Sequence, residues 1–213
     1  MNAKETVKAG YNSIATHYLA TRTEDSEDVR LLDDLVQRLP QGARVLDAGC
    51  GAGVPVTRFL SKFFQVTGVD FAEAQIELAR QLAPQAQFLC QDITELIFPD
   101  NSFDAICSYC AIIHIPRQEH QALLQNFYRM LKPSGLALLC LGAEDLENDT
   151  QEDYLGAAMY WSHYDADTNL SIIQACGFEL IWSRVVADAT SPGAGHLFVL
   201  AQKRRAEQLI GAS

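Results

Sequence analysis

The residues of this 213-residue chain best suited to chemistry are a glycine-rich turn and the acids that follow it. Val45-Leu46-Asp47-Ala48-Gly49-Cys50-Gly51-Ala52-Gly53 reads as a buried strand ending in a turn, where small residues let a ligand approach the backbone. A dinucleotide-binding loop would place its third glycine three residues after the second, where Val54 stands. The turn therefore suits a close-lying ligand but lacks the tight helix start that grips a pyrophosphate. Asp70 follows 21 residues after Gly49, at the end of Val66-Thr67-Gly68-Val69-Asp70. A carboxylate there can accept hydrogen bonds from both hydroxyls of a ribose, or it can simply cap the helix that starts near Ala72. Asp92, in Phe88-Leu89-Cys90-Gln91-Asp92-Ile93, can accept from an adenine amine while Ile93 packs on the ring. It can also cap a turn through Thr94 and Glu95. Downstream, His114 is the residue of its segment able to move a proton near neutral pH. It is a candidate general base or, equally, a residue that orients its loop by bonding backbone.

The elements that must position these groups alternate between strand-like and helix-like runs, the pattern of a mostly parallel sheet covered on both faces. Strands are expected at Arg44–Ala48, Gln65–Asp70, Gln87–Gln91, Phe103–Tyr109, Leu136–Leu141, Phe178–Val186 and His196–Gln202. Helices are expected at Glu5–Leu19, Val29–Leu39, Val54–Phe63 (with Pro55 in its first turn), Ala72–Leu82, Arg117–Leu131 and Asp167–Cys176. Lys132-Pro133-Ser134-Gly135 ends the long helix. The Pro- and Gly-bearing segment Ala187–Gly195 reads as a hairpin, so the final strand should run antiparallel.

Composition narrows the classes of function. Hydrophobic residues make up 48 % and charged residues 20 %, a globular balance. A net charge of −11 makes nucleic acid a poor partner, a small basic groove being the one way an acidic domain could still bind it, and Lys203-Arg204-Arg205 reads as a solvated end. No run approaches a membrane span, and the polar Met1–Lys8 lacks the apolar core of a secretory signal, which points to a cytoplasmic protein. Of the six cysteines, Cys50, Cys90, Cys107, Cys140 and Cys176 sit in or beside apolar runs and read as core. Cys107 and Cys110 form a lone CxxC without the second pair a zinc site needs, so no metal is expected.

Leu46-Asp47-Ala48-Gly49-Cys50-Gly51-Ala52-Gly53, Gly68-Val69-Asp70, Gln91-Asp92, Ser102-Phe103-Asp104-Ala105 and Leu131-Lys132-Pro133-Ser134-Gly135 together resemble the successive motifs of class I S-adenosylmethionine (SAM)-dependent methyltransferases, close to the small UbiE-like group. The resemblance covers roughly residues 10 to 203; Ser134 departs from the usual Pro-Gly-Gly in a turn that does not touch the cofactor. It implies a Rossmann-like, doubly wound α/β fold whose seven-stranded sheet runs 3-2-1-4-5-7-6, with strand seven antiparallel. Residues 41–203 would form this core, 1–40 N-terminal lid helices, and 204–213 a tail.

The resemblance further implies SAM as cofactor and S-adenosylhomocysteine as product. Gly49, Gly51 and Gly53 would form the cofactor loop, with Asp47 toward the amino group. Asp70 would bind the ribose, Phe71 would lie along the adenine, Asp92 with Ile93 would bind the base, and Tyr109 would offer backbone near the methyl. Tyr11, Ala15 and Tyr18 share one helical face, core-facing by default; the resemblance makes it the aromatic face of a lid, with Tyr18 toward the cofactor and Tyr11 toward the acceptor.

Cys110, in the loop holding His114, and Tyr160, Trp161 and His163, in a loop Met159–Tyr164, are candidates for the acceptor pocket. The acidic Glu144–Asp149 reads as a solvated loop; facing the pocket, it would favour a cationic amine. A small-molecule acceptor methylated by in-line displacement is the leading expectation. A SAM-binding protein without turnover, a protein methyltransferase and a nicotinamide-dependent oxidoreductase stand as rivals.

Overall fold

Leu136, Leu138 and Cys140 pack in one apolar cluster and Ala137, Leu139 and Leu141 in another, so this strand is buried on both faces. Such burial is the mark of a central strand with helices above and below. The computed structural model describes residues 2–187 and 195–205 and forms that arrangement. Its main sheet contains β1 (Arg44–Ala48), β2 (Gln65–Asp70), β3 (Gln87–Cys90), β4 (Phe103–Ser108), β5 (Leu131–Gly142), β8 (Phe178–Ala187) and β9 (Gly195–Lys203). They lie in the order β3-β2-β1-β4-β5-β9-β8. β1 to β5 pair in parallel, and β9 runs antiparallel to both β5 and β8. This is the order implied by the sequence, strand for strand. Of the hairpin expected at Ala187–Gly195, residues 188–194 lie outside the described residues; the flanking strands pair down to Ala187 opposite Gly195. Most of the expected tail also lies outside them.

Two strands were not foreseen. β6 (Leu146–Tyr154) and β7 (Ala157–His163) form a separate antiparallel ribbon where loops were expected at Glu144–Asp149 and Met159–Tyr164. β6 is mostly exposed, so it has no apolar alternation to read. Only β7 carries a buried signal, in Met159 and Tyr160, and it is covered by α1 (Ala3–Thr21). α1 opens with a capping box, in which Asn2 Oδ1 accepts from Glu5 N at 2.9 Å and Glu5 Oε2 from Asn2 N at 3.0 Å.

Other boundaries shift. The helix expected at Val29–Leu39 is two short ones, α2 (Glu27–Arg30) and α3 (Asp33–Arg38), because the chain turns at Leu31 and Leu32 to bury both. α4 spans only Val56–Leu60, with Pro55 as its N-cap. α5 (Glu73–Leu82), α6 (His120–Met130) and α7 (Ala166–Ala175) fall within a few residues of expectation, α6 preceded by a 3₁₀ turn over Arg117–Glu119. The segment Lys132–Gly135 does stop α6. It then belongs to β5, with Ser134 at φ 65° and a register shift opposite Phe103/Ala105.

Cys90 is exposed, not core, because its edge strand β3 is open on that side; Cys50, Cys107, Cys140 and Cys176 are buried. Lys203 is no solvated end either: its ammonium lies over the Tyr128 ring and donates to Leu131 O at 2.7 Å. Among the described residues no helix is long and apolar enough to cross a membrane.

Candidate functional site

β1 and β2 are parallel and in register, so their carboxyl ends carry Asp47, the glycine turn and Asp70 to one edge of the sheet. Asp47 is 1 % exposed. Its Oδ2 accepts from the Thr57 hydroxyl at 2.5 Å, while Oδ1 has no partner among the described residues. Burial pushes its carboxyl up to about 7, against the pull of the Thr57 bond. Asp70 accepts from Gly51 N and from Ala72 N, each at 2.9 Å, and burial raises it to about 6. It therefore does cap α5, and it also shapes the glycine turn. Gly49 sits at φ +81°, and a Cβ there would collide with the Ala111 methyl. Only glycine brings the turn this close to the loop after β4.

A cavity runs along this edge. Asp47, Gly49, Gly51, Asp70, Phe71, Asp92, Ile93, Tyr109 and Tyr18 all line it, which brings together every expected cofactor residue except one. The exception is Gly53, which faces Ala79 and Phe88 and serves the packing of α5 against β3. Asp92 Oδ1 accepts from Thr94 N and Thr94 Oγ1, both at 2.8 Å, and Oδ2 lies 3.3 Å from Lys4 Nζ. Lys4 also bonds Glu119 at 2.6 Å, and Lys8 pairs with Glu73, so α1 is tied across the cavity at two points. Gln75, 1 % exposed, lines the cavity with both amide atoms unpartnered; it was not anticipated. The available signal was a polar residue on the buried face of α5, one place before Ile76 and four before Ala79.

A second, larger cavity of about 390 Å³ adjoins the first, and Tyr11, Tyr18, Arg22, Cys110 and His114 line both. Trp161 and His163 line the second as expected. Tyr160 does not: its hydroxyl donates to Asn148 at 2.6 Å and its carbonyl turns to His114. His114 Nδ1 lies 2.7 Å from that carbonyl and must donate to it. The neutral ring therefore leaves Nε2 as an acceptor, and the Tyr11 hydroxyl donates to it at 2.9 Å. Burial holds His114 down to about 4, so it is uncharged at neutral pH. His163 Nδ1 likewise donates to Glu144 O at 2.7 Å, and burial lowers its pKa.

The acidic segment is not simply solvated. Glu144, Asp145 and Asp149 line the second cavity, with Asp28 opposite. Asp145 is engaged by Arg117 at 2.7 Å, and Asp28 by Arg22 at 3.6 Å. Arg22 also lies over the Tyr18 ring. Trp161 stacks edge-on with Tyr154 at 5.1 Å, adding aromatic wall. Cys110, at φ 51°, takes a bond from the Cys140 thiol at 3.8 Å, which with nearby Arg22 lowers it to about 6. Its partner is thus Cys140 on the neighbouring strand and not Cys107, its CxxC neighbour.

A glycine turn and two strand-end acids on a sheet of this order define the class I SAM-dependent methyltransferase architecture. Residues 45–135 match the family described as a methyltransferase domain. The protein YqeM of Bacillus subtilis is 30 % identical over 156 residues, covering 68 % of this chain and 63 % of that one. A sterol 24-C-methyltransferase of Neurospora crassa is 29 % identical over 201 residues, covering 85 % of this chain and 48 % of that one. The chain thus spans about half to two thirds of these relatives. In structure it is similar to a 1,6-didemethyltoxoflavin-N1-methyltransferase of Burkholderia thailandensis with bound S-adenosylhomocysteine, at TM-score 0.70 and 20 % identity, covering 92 % of this chain and 87 % of that one. The chain thus carries a methyltransferase domain at residues 45–135, on the fold shared by class I SAM-dependent methyltransferases.

Proposed function

We propose that this protein methylates a small-molecule amine held in the second cavity. The observation that carries the reading is the shared wall: Tyr11, Tyr18, Cys110 and His114 face both the cofactor cavity and a larger chamber beside it. The donor residues fit the cofactor on their own terms. Among the described residues, Asp47 Oδ1 and the Gln75 amide are buried polar atoms without partners, and such atoms call for a bound polar ligand. Gly49 leaves room that any side chain would fill.

SAM supplies a methyl already activated by its sulfonium charge, open to in-line displacement by a nucleophile. The chain has then to align the acceptor and keep water out. α1 lies over the cavity as a lid, latched by Lys4 and Lys8, whereas α2, α3 and the turn between them, the rest of the expected lid at 1–40, pack Val29, Leu31, Leu32 and Leu35 into the core of the sheet. Asp47 would meet the cofactor's ammonium, Asp70 its ribose, and Asp92 with Ile93 its base. Of the two roles expected of His114, the geometry favours orientation. With a pKa near 4 it is a weak base, but its Nε2 fixes the Tyr11 hydroxyl and leaves the Tyr11 oxygen free to accept from an acceptor N–H. The acceptor would react as the free amine, its ammonium proton lost to Glu144, Asp149 or solvent, and the Tyr11 contact turns the freed lone pair toward the methyl, leaving S-adenosylhomocysteine and a methylated ammonium.

The charge of the chamber supports an amine that is a cation in solution. Among the described residues no cation pairs with Glu144 or Asp149, and Arg22 is committed to Asp28. The aromatic faces of Trp161 and Tyr154 suit an organic cation as well. The names of the sterol and toxoflavin-precursor methyltransferases are consistent with a small acceptor. The test incubates the protein with methyl-labelled SAM and matched arylalkyl amines and alcohols. Label on the amines is expected. Label on alcohols alone refutes the amine, and S-adenosylhomocysteine binding without any transfer would favour the reading of a SAM-binding protein without turnover.

A further inference from the structure

Of the six cysteines, three turn their sulfur to a backbone carbonyl: Cys50 to Gly51 O, Cys90 to Phe71 O and Cys176 to Gln121 O, each at 3.6 Å. Cys110 and Cys140 instead face each other, with 3.8 Å between their sulfurs. Strand alternation alone would not bring them together. Ala105, Cys107 and Tyr109 share one apolar cluster with Leu136, Leu138 and Cys140, while Ile106 belongs to the cluster on the other face. Cys110, next after Tyr109, should therefore follow Ile106. Its φ of 51° turns it back, and it packs against the cluster that holds Cys140. A left-handed φ is uncommon outside glycine and persists only where the surrounding structure imposes it.

The two thiols differ in what can reach them. Cys140 is fully buried in the central strand β5, whereas Cys110 lines both cavities. The bond to Cys140, with Arg22 nearby, holds Cys110 below the ordinary thiol range, while burial pushes Cys140 up. Cys110 is thus the accessible nucleophile and Cys140 the thiol placed to resolve it. We propose that Cys110 and Cys140 form a reversible disulfide, made by hydrogen peroxide entering through the cavities, and that this bond weakens cofactor binding. The Cys110 sulfur attacks one peroxide oxygen and the O–O bond breaks, leaving a sulfenic acid, while the departing hydroxide takes up the Cys110 proton as water. The Cys140 sulfur then attacks the Cys110 sulfur, and the sulfenic oxygen leaves with the Cys140 proton as a second water. Both thiols are oxidised and the peroxide is reduced. Because the sulfurs touch without being bonded, the second step must draw them together. Cys140 is fixed within the sheet, so the loop holding Cys110 is the part that moves. The next residue, Ala111, carries the methyl that a Cβ on Gly49 would strike, so its displacement acts directly on the cofactor turn. The effect on the cofactor rests on the SAM reading; the disulfide itself does not.

The test treats the unaltered protein with hydrogen peroxide, alkylates it under denaturing conditions and maps its peptides by mass. The expected product is a Cys110–Cys140 crosslink, lacking both thiol hydrogens and released by dithiothreitol. Sulfinic acid on Cys110 without a crosslink, a Cys107–Cys110 bond, or unmodified thiols would each overturn the proposal. Calorimetry should show S-adenosylhomocysteine binding about tenfold weaker in the crosslinked protein and restored by reduction. A crosslinked protein with unchanged affinity overturns the coupling to the cofactor turn. Cys140→Ser, altered outside either cavity wall, should keep the affinity of the reduced protein and give no crosslink. If peroxide weakens binding in that variant as reversibly and to the same extent, the disulfide is not the cause and the coupling is overturned. If neither the reduced nor the oxidised protein binds S-adenosylhomocysteine, the SAM reading fails and the coupling with it, while the mass of the crosslink still decides the disulfide.

Discussion

Binding of the cofactor product should expel protons and tighten as pH rises. Asp47 and Asp70 are buried carboxyls held at about 7 and about 6, well above an ordinary aspartate at 3.8. In the ligand-free protein, burial favours their neutral forms. The stability they contribute is therefore present below pH ~4 and is lost as pH rises through 6 to 7, about 3 to 4 kcal/mol for each carboxyl. A bound ammonium beside Asp47 Oδ1, with sugar hydroxyls on Asp70, reverses the preference by stabilising both carboxylates. Binding at pH 6 then requires Asp47, mostly protonated, and Asp70, about half protonated, to ionise. Linkage gives release of roughly one proton there and an affinity roughly tenfold tighter at pH 7.5 than at pH 6. Titration of S-adenosylhomocysteine in two buffers of different ionisation enthalpy measures both quantities. Asp47→Asn, which cannot ionise, should flatten most of the dependence while binding more weakly at pH 7.5. Affinity independent of pH, or uptake of protons, would refute the placement of these carboxyls against the ligand.

Three further outcomes follow from the same geometry. Tyr11→Phe and His114→Ala should each lower kcat about tenfold with S-adenosylhomocysteine affinity changed less than about threefold, and the double variant should be no worse than either, because the two residues act as one unit; steady-state kinetics with a double-mutant cycle checks this. Gly49→Ala should destabilise the fold by about 3 kcal/mol or prevent folding, since its Cβ meets Ala111 at a left-handed φ, as thermal denaturation would register. Asp149→Asn with Glu144→Gln should raise KM for a cationic amine roughly three- to tenfold and leave a neutral acceptor unaffected, measured as competition between the two by labelled transfer.

That the residues proposed for the donor half come together was legible in the sequence, because each sits at or just after a strand end fixed by local pattern. Asp47 lies near the end of one buried strand with Gly49 and Gly51 just beyond it, Asp70 ends the next and Asp92 follows the third; a parallel sheet in register then brings them to one edge without further information. Gly53 was misassigned because glycine spacing cannot tell a residue that makes room for a ligand from one that makes room for Ala79. Gln75 was passed over because its meaning depends on a competition, Asp70 taking the N–H that the glutamine would otherwise cap.

The acceptor half was not legible, and the reason is the range of its contacts. His114 could be read as base or as anchor because its two ring partners, Tyr160 O and Tyr11, are 46 and 103 residues away. Nothing within its own loop decides which nitrogen carries the proton. The ribbon of β6 and β7 was missed for a related cause. Its outer strand is polar and exposed, and it is held by Tyr160 on Asn148 and by Ser162 on Glu147 O, not by an apolar stripe. That ribbon decides whether Glu144 and Asp149 face solvent or the chamber, and hence which charge of acceptor the site prefers. On the proposed reading, the cofactor would be specified by local turns on the sheet, and the acceptor by what a lid helix and a polar ribbon bring over it. The first can be read residue by residue; the second exists only once the chain has folded back on itself.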